Sequence, residues 1–257
     1  MYYYGARYYD PRLSIFISVD PLAEKYPNIG SYVYVANNPI NFIDPDGREI
    51  WIVGSNGVKI QYTSGMIYKG DDSIIKSYVN TLNNINSTAN GFKALDTVLN
   101  SSNVYTFNKA SEANTGYLLG KDVYISDNFI DVDAVSHELF HLYQYDRGQG
   151  GASIFNEIEA YLFSESVKDQ FYSNEGYGSN GFVFSIDNTT KEGALYEKSI
   201  ENLLYNSFSE KDFNNSINLF RSNSNARDNY LNEEHYPLRR ENQKDILIKE
   251  FYPLTEQ

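Results

Sequence analysis

The sequence predicts an α+β fold, and three observations support this class. Short β-prone runs separated by turn signals are concentrated in the N-terminal half of the chain. Longer segments with helical periodicity become frequent in the C-terminal half. Of the 257 residues, 41% are hydrophobic and 21% are charged, which is typical of a globular chain. Strands followed by helices indicate a sheet covered by helices, as in α+β proteins.

Residues 1–48 differ in composition from the rest of the chain. They are crowded with Tyr, Pro, Gly and Asn, and their β-prone runs at 2–4, 15–18 and 32–35 are too short to bury a core. They therefore predict a piece of a larger β structure. The composition changes after Arg48, so we divide the chain into a segment of residues 1–48 and a domain of residues 49–257.

The elements of the domain follow from turn and cap signals. Strands at 49–53 and 58–63 flank Ser55-Asn56-Gly57, which is a hairpin signal, and residues 66–69 are a candidate third strand. Asp71, Asp72 and Ser73 are candidate caps of a helix over 74–85. The remaining predictions are helices at 91–99, 152–171, 191–207 and 210–221, strands at 103–107 and 121–126, and a last strand or helix at 245–251.

Charge and composition exclude several classes of function. The net charge of −13 argues against nucleic acid as a partner, because a nucleic-acid groove needs a basic surface. The absence of cysteine excludes disulfides and thiolate metal ligands. No apolar run approaches the length of a membrane span, and the N-terminus does not read as a signal peptide. If the protein is exported, we expect it to leave the cell as part of a larger protein.

The most informative motif is His137-Glu138-Leu139-Phe140-His141, which lies in a predicted helix that ends at Arg147-Gly148. Residues four apart share one face of a helix, so His137 and His141 can reach a single metal ion. Glu138 lies about 100° further round and can take a proton from water instead of binding the ion. The chain has only three histidines, so this spacing favours a metal site over two unrelated solvated histidines.

The same helix carries an apolar stripe nearly opposite the histidines. The stripe predicts a helix that is buried on one side and presents its histidines on the other. Its members are Val132, Val135, Leu139, Leu142 and Tyr143.

A catalytic zinc ion usually has three protein ligands, so one ligand remains to be found. Without cysteine, it must be Glu, Asp or His235. The predicted helix at 152–171 offers Glu157, Glu159 and, within its apolar stripe, Glu165. Glu157 and Glu159 are about 200° apart on a helix, so only one of them can face the ion. The apolar stripe of this helix is flanked by both glutamates, so it does not indicate which of them faces the ion.

Four motifs occur in order within residues 1–48: Gly5-Ala6-Arg7-Tyr8-Tyr9-Asp10-Pro11, Asp20-Pro21-Leu22, Asn37-Asn38-Pro39 and Asp44-Pro45-Asp46-Gly47. Their order and spacing resemble the end of the Rhs repeat-associated core. The resemblance implies the closing strands of a β-shell around a C-terminal toxin. It also implies the rest of that Rhs shell and a cognate immunity protein as partners, and secretion or delivery to a target cell within a larger Rhs protein. Some Rhs proteins cleave themselves at paired D-P-x-G motifs, but Ala23 replaces the Gly of the first motif here.

The H-E-x-x-H motif followed by Asn156-Glu157 resembles the gluzincin metallopeptidases. The resemblance implies a zincin-like domain that binds Zn²⁺ through His137, His141 and Glu157, with Glu138 as the general base. Tyr161 stands where the family has an Asp that supports a ligand histidine. By analogy with zincins, the strand at 121–126 would be an edge strand that pairs with an extended peptide substrate, the alternative being an ordinary strand within the sheet.

These observations predict a zinc metallopeptidase that acts as the C-terminal toxin of an Rhs protein and hydrolyses a protein or peptide substrate. His235 is a candidate donor to the oxyanion, the alternative being an ordinary surface residue. The alternative functions are a non-catalytic metal-binding or interaction module and a spacer attached to a shell fragment.

Overall fold

The structure, a computed structural model, describes residues 50–112, 116–174, 190–206, 208–222, 234 and 236–252, together with three short N-terminal strands. The chain divides into two compact units, Met1–Glu49 and Ile50–Gln257. The strands described in the first unit form an antiparallel sheet of order β1-β2-β3. They are β1 (Tyr2–Tyr3), β2 (Tyr8–Asp10) and β3 (Ile15–Phe16). The predicted run at 32–35 and the motifs at 20–23, 37–39 and 44–47 lie outside the described residues.

The second unit contains a five-stranded sheet of order β5-β4-β6-β8-β7. Its strands are β4 (Ile50–Val53), β5 (Lys59–Tyr62), β6 (Tyr105–Lys109), β7 (Gly116–Leu119) and β8 (Asp122–Ile125). The central pairs β4–β6 and β6–β8 are parallel, whereas the outer pairs β4–β5 and β7–β8 are antiparallel. The prediction of a mixed α+β class is confirmed.

Six helices accompany this sheet among the described residues. None of them is long and apolar enough to cross a lipid bilayer. They are α1 (Ser73–Asn86), α2 (Ala89–Leu99), α3 (Val132–Asp146), α4 (Ile154–Asn174), α5 (Lys191–Tyr205) and α6 (Glu210–Ser222). The region predicted as a last strand or helix contains a 3-10 helix at Leu247–Phe251.

Alternation along the strands explains which face of the sheet carries the core. In β4, β6 and β8, buried residues alternate with half-buried ones, as expected when one face is covered. The buried side chains join those of the helices in one hydrophobic cluster. Tyr78 of α1 packs edge-on against Phe107 of β6, with ring centroids 5.5 Å apart, and its hydroxyl donates to the Asn108 carbonyl. The helices therefore cover this face of the sheet.

The edge of the sheet differs from the prediction. The strand at 121–126, predicted as an edge strand, corresponds to β8, which lies between β6 and β7. The edge strand next to β8 is β7, whereas β5 forms the other edge. The sequence did not reveal β7 because its four residues are mostly exposed and include a glycine. Gly120, with φ of 66°, makes the tight turn that folds β7 back on β8. The candidate strand at 66–69 is also wrong, because those residues form no strand.

Helix α3 is covered on both sides, which corrects the prediction that its histidine side faces outward. The predicted apolar stripe is buried, and so is Phe140, which stacks on Phe163 of α4 at 4.8 Å between ring centroids. The His137 and His141 side chains are only 13% exposed, because α4 packs against their face. The motif is thus enclosed between two helices.

Candidate metal centre

Three side chains from α3 and α4 converge at the centre of this helix pair. His137 and His141 lie one turn apart on α3, and their Nε2 atoms are 3.2 Å from each other. Glu157 of α4 places Oε2 3.4 Å from Nε2 of His137 and Oε1 3.6 Å from Nε2 of His141. Among the described residues, these three form the one group of histidine and acidic side chains that could hold a metal ion.

The spacing of these atoms fits a small divalent cation. Two ligands about 2.0–2.1 Å from a tetrahedral ion stand about 3.3 Å apart. The distance of 3.2 Å between the two Nε2 atoms, and those of 3.4 and 3.6 Å from them to Oε2 and Oε1 of Glu157, are each close to the edge length of such a tetrahedron. The two imidazoles and one carboxylate are also a donor set that divalent transition metals accept. The group can therefore hold a cation and leave a fourth position for another ligand.

The structure separates the three glutamates that the sequence left as candidate ligands. Glu157 is the one that faces the histidines. Glu159 turns away and accepts hydrogen bonds from Gln144 Nε2 at 2.9 Å and from the Ile248 N–H at 3.0 Å. Glu165 forms an ion pair with Lys168 at 2.7 Å. Residues two positions apart in a helix point in directions that differ by about 200°, so Glu157 and Glu159 contact different neighbours.

Glu138 lies beside the centre without joining it. Its carboxylate is buried, and Oε2 has no hydrogen-bond partner among the described residues. Burial raises the pKa of Glu138 to about 7; the proximity of His141 lowers this pKa and that of Glu157 raises it. A Cβ built on Gly116 of β7 would come within 3.3 Å of Glu138 Oε1. A carboxyl group whose pKa lies near neutrality can both accept and release a proton.

The two histidines have different supports. His141 Nδ1 lies 2.8 Å from Gln144 Oε1, whereas His137 Nδ1 is buried without a hydrogen-bond partner in the part of the chain that the structure describes. The His137 ring instead packs against Tyr161, with centroids 4.5 Å apart. Tyr161 is the residue at which the sequence comparison with gluzincins expected a supporting Asp, and its ring contacts the His137 ring.

Sequence reasoning missed two residues of the site and proposed one that the structure does not describe. Gln144 follows His141 by three residues, so its position on the same helix face was a usable signal. Gly116 lies in β7, and no local pattern connects that residue with Glu138. His235 lies outside the described residues, and its proposed role stays a prediction.

Comparison with known proteins finds similarity over a small part of the chain. No protein-family model and no solved structure matches. The chain is 37% identical over 78 residues to the tRNA(Glu)-specific nuclease WapA of Bacillus subtilis subsp. natto (strain BEST195). It is 40% identical over 60 residues to the tRNA nuclease WapA of Bacillus subtilis (strain 168). These matches cover 27% and 22% of this chain, and the chain spans only 3% of the length of either relative.

These relatives contradict the predicted zinc metallopeptidase with a protein or peptide substrate, because both are named tRNA nucleases. The prediction that nucleic acid is not a partner is contradicted for the same reason. The H-E-x-x-H motif indicates how water is activated and does not specify which bond is hydrolysed. The net charge of −13 is a sum over the whole chain and does not describe the charge around one cleft. Motif and net charge were therefore insufficient to identify the substrate.

Proposed function

We propose that the second unit is a metal-dependent hydrolase centred on His137, His141 and Glu157. The observation that carries this proposal is the convergence of two imidazoles and one carboxylate: the Nε2 atoms of His137 and His141 are 3.2 Å apart, and Oε2 and Oε1 of Glu157 lie 3.4 Å and 3.6 Å from them, respectively. The two nitrogens and one oxygen favour Zn²⁺, although other divalent ions accept the same donors. A divalent cation held there would supply Lewis-acid chemistry and lower the pKa of water towards about 7.

Glu138 is the residue that we assign to proton transfer. Its Oε2 atom is buried and has no hydrogen-bond partner among the described residues, so it can accept a proton from a water molecule in the site. The pKa of about 7 means that the carboxylate form is available at neutral pH and that the proton can be returned to a leaving group. His137 and His141 are one residue before and three residues after it on α3, which keeps the base beside the ligands.

RNA is the first substrate class to test, because both matched relatives are named tRNA nucleases. In hydrolysis of a phosphodiester, water attacks phosphorus, one P–O bond breaks, and the leaving oxygen takes up a proton. Glu138 would remove the proton from the attacking water and return it to that oxygen. The proposed chemistry therefore applies to an RNA backbone without any further residue being assigned.

The test combines metal content with RNA cleavage by the full chain. We expect about one equivalent of zinc by elemental analysis, cleavage of bulk tRNA on a denaturing gel, and loss of cleavage after chelation. Glu138→Gln should keep the metal and slow cleavage by about 10²–10⁴-fold, the usual contribution of a general base. Glu192→Gln is the matched control, because Glu192 is an exposed glutamate on α5.

Each part of the proposal can fail separately. Absence of a bound divalent ion would reject the metal centre. Undiminished cleavage by Glu138→Gln would remove Glu138 from the mechanism. Metal-loaded protein that leaves tRNA intact would reject RNA as the substrate while leaving the metal centre in place.

A non-catalytic metal-binding module is the second candidate. The observation that favours it is the incomplete support of His137, whose buried Nδ1 has no hydrogen-bond partner among the described residues. Hydrogen bonds from outside the ligand sphere normally orient ligand histidines and are important for activity. This candidate predicts tight metal binding together with no hydrolysis of RNA or any other substrate class.

We also propose that the domain acts in a target cell after delivery within a larger Rhs-type protein. The resemblance of residues 1–48 to the end of an Rhs core supports this. Expression of the chain in the bacterial cytoplasm should then arrest growth, and Glu138→Gln should abolish the arrest. Equal growth arrest by both forms would show that any toxicity does not come from this site.

A further inference from the structure

A buried chain of hydrogen bonds leads away from the candidate ligand His141. His141 Nδ1 lies 2.8 Å from Gln144 Oε1, and Gln144 is fully buried. The Gln144 amide nitrogen donates hydrogen bonds to the backbone carbonyl of Asn156 at 3.1 Å and to Glu159 Oε2 at 2.9 Å. The other oxygen of Glu159 accepts from the Ile248 N–H.

The orientation of the Gln144 amide follows from these partners. The Asn156 carbonyl can only accept a hydrogen bond, so the Gln144 atom that faces it must be the nitrogen. The amide oxygen then faces His141 Nδ1 and can only accept. His141 Nδ1 must therefore carry a proton, so in the neutral imidazole the lone pair is on Nε2, which faces His137 and Glu157. This is the tautomer that a metal ligand needs.

We propose that Gln144 is a positioning residue that holds His141 in the ligand tautomer, with Asn156 and Glu159 holding Gln144 in turn. The expected effect of Gln144 on metal affinity rests on the proposed metal centre. The tautomer of His141, in contrast, can be measured without metal. The arrangement differs from a carboxylate that contacts the histidine directly, because here an amide stands between the imidazole and the carboxylate of Glu159.

The first measurement uses the wild-type chain without metal. With only three histidines in the chain, ¹⁵N-labelled imidazole signals can be assigned by single His replacements. At about pH 8, we expect His141 to carry its proton on Nδ1, because that nitrogen faces the Gln144 amide oxygen. A signal showing the proton on Nε2 of His141 would overturn the proposal. This test needs no substitution of Gln144.

The second measurement compares Gln144→Leu with Gln243→Leu. Gln243 is a similarly buried glutamine that has no hydrogen bond to His141. Its side-chain amide nitrogen donates a hydrogen bond to the Gly151 carbonyl, and its amide oxygen accepts one from the Arg240 N–H. We expect Gln144→Leu to weaken zinc binding about 10–100-fold in a chelator competition, and Gln243→Leu to change it less than about twofold. Both replacements should lower the melting temperature, because both remove buried hydrogen bonds.

The two measurements separate failure of this inference from failure of the proposed function. Equal zinc affinity in Gln144→Leu and the wild type would overturn the positioning role, although the metal centre would stand. A wild-type chain that shows the Nδ1-protonated tautomer but binds no divalent ion would support the positioning of His141 and reject the metal centre.

Discussion

At the scale of single residues, Glu157 and Glu159 show how two identical side chains acquire different roles. Both are buried on α4, but one faces two imidazoles and the other faces an amide and a backbone N–H. Burial raises the pKa of Glu159 to about 8, and hydrogen bonds from Ile248 and Gln144 oppose that rise. The direction in which each carboxylate points, rather than its residue type, therefore decides which one can bind a metal.

Replacement of the Glu157 carboxylate tests its role as a ligand. Glu157→Gln keeps the size of the side chain and removes its negative charge. We expect zinc affinity to fall by at least about 100-fold, more than for a typical residue outside the ligand sphere. Competition with a chromophoric chelator measures the affinity. Glu192→Gln, on the exposed face of α5, should bind zinc as the wild type does. Similar affinity in Glu157→Gln and the wild type would exclude Glu157 as a ligand.

At the scale of elements, Asp72 connects the β4–β5 hairpin to the start of α1. Its Oδ1 atom accepts hydrogen bonds from the N–H groups of Ile74 and Ile75 and so caps the helix. Its Oδ2 atom accepts from both the N–H and the hydroxyl of Ser55 in the hairpin turn. Desolvation acts to raise the pKa of Asp72, but these hydrogen bonds outweigh it and lower the pKa below 3.8.

Removal of this cap should destabilise the second unit. Asp72→Ala is expected to lower the free energy of unfolding by about 0.5–2 kcal/mol, as measured by urea denaturation. Because the folded pKa is lowered, the stabilisation by Asp72 is fully present above the unfolded pKa of about 3.8 and is lost as the pH falls below it. The difference between mutant and wild type should therefore shrink in acid. Asp71→Ala, one residue earlier at an exposed position, should have little effect. A pH-independent difference would assign the effect to something other than the carboxylate.

At the scale of the second unit, residues 236–252 hold together the two helices that carry the site. The Pro237 and Leu238 carbonyls accept from the first N–H groups of α4, at Ile154 and Phe155. Further along, Glu250 accepts from the Tyr143 hydroxyl and from Arg147 at the end of α3. Residues more than 80 positions apart in sequence thus contribute to the same helix pair.

Metal binding at the helix pair should stabilise the folded second unit. A ligand at 100 times its dissociation constant adds about 2.7 kcal/mol to the free energy of unfolding. For a unit of this size, that corresponds to a rise in melting temperature of about 5–10 °C. Thermal scans of the chain with zinc and with a chelator measure the shift. The double variant His137→Ala, His141→Ala should show no such rise, and an equal rise in that variant would place the stabilising ion elsewhere.

Local pattern was sufficient for several features because they depend on neighbours in the chain. The α+β class follows from strand and helix periodicity, and the pairing of His137 with His141 follows from helix geometry. A cap before the apolar helical run was also predicted, with Asp71, Asp72 and Ser73 as candidates, and the structure shows that Asp72 is the cap. The apolar stripe of α3 was also found, although the burial of Phe140 was missed because that residue packs against a separate helix, α4.

Long-range packing determined the rest. The orientation of Glu157 towards the histidines depends on how α4 packs against α3, and the placement of β7 beside Glu138 depends on a turn that brings an exposed strand to the edge of the sheet. Glu157 was singled out only by the resemblance of Asn156-Glu157 to gluzincins, and the position of β7 had no local signature. Hydrophobic periodicity identifies a buried face without identifying the element that covers it. Local sequence pattern indicates even less about the substrate. One motif can activate water for attack on different bonds, and the surrounding surface selects among them.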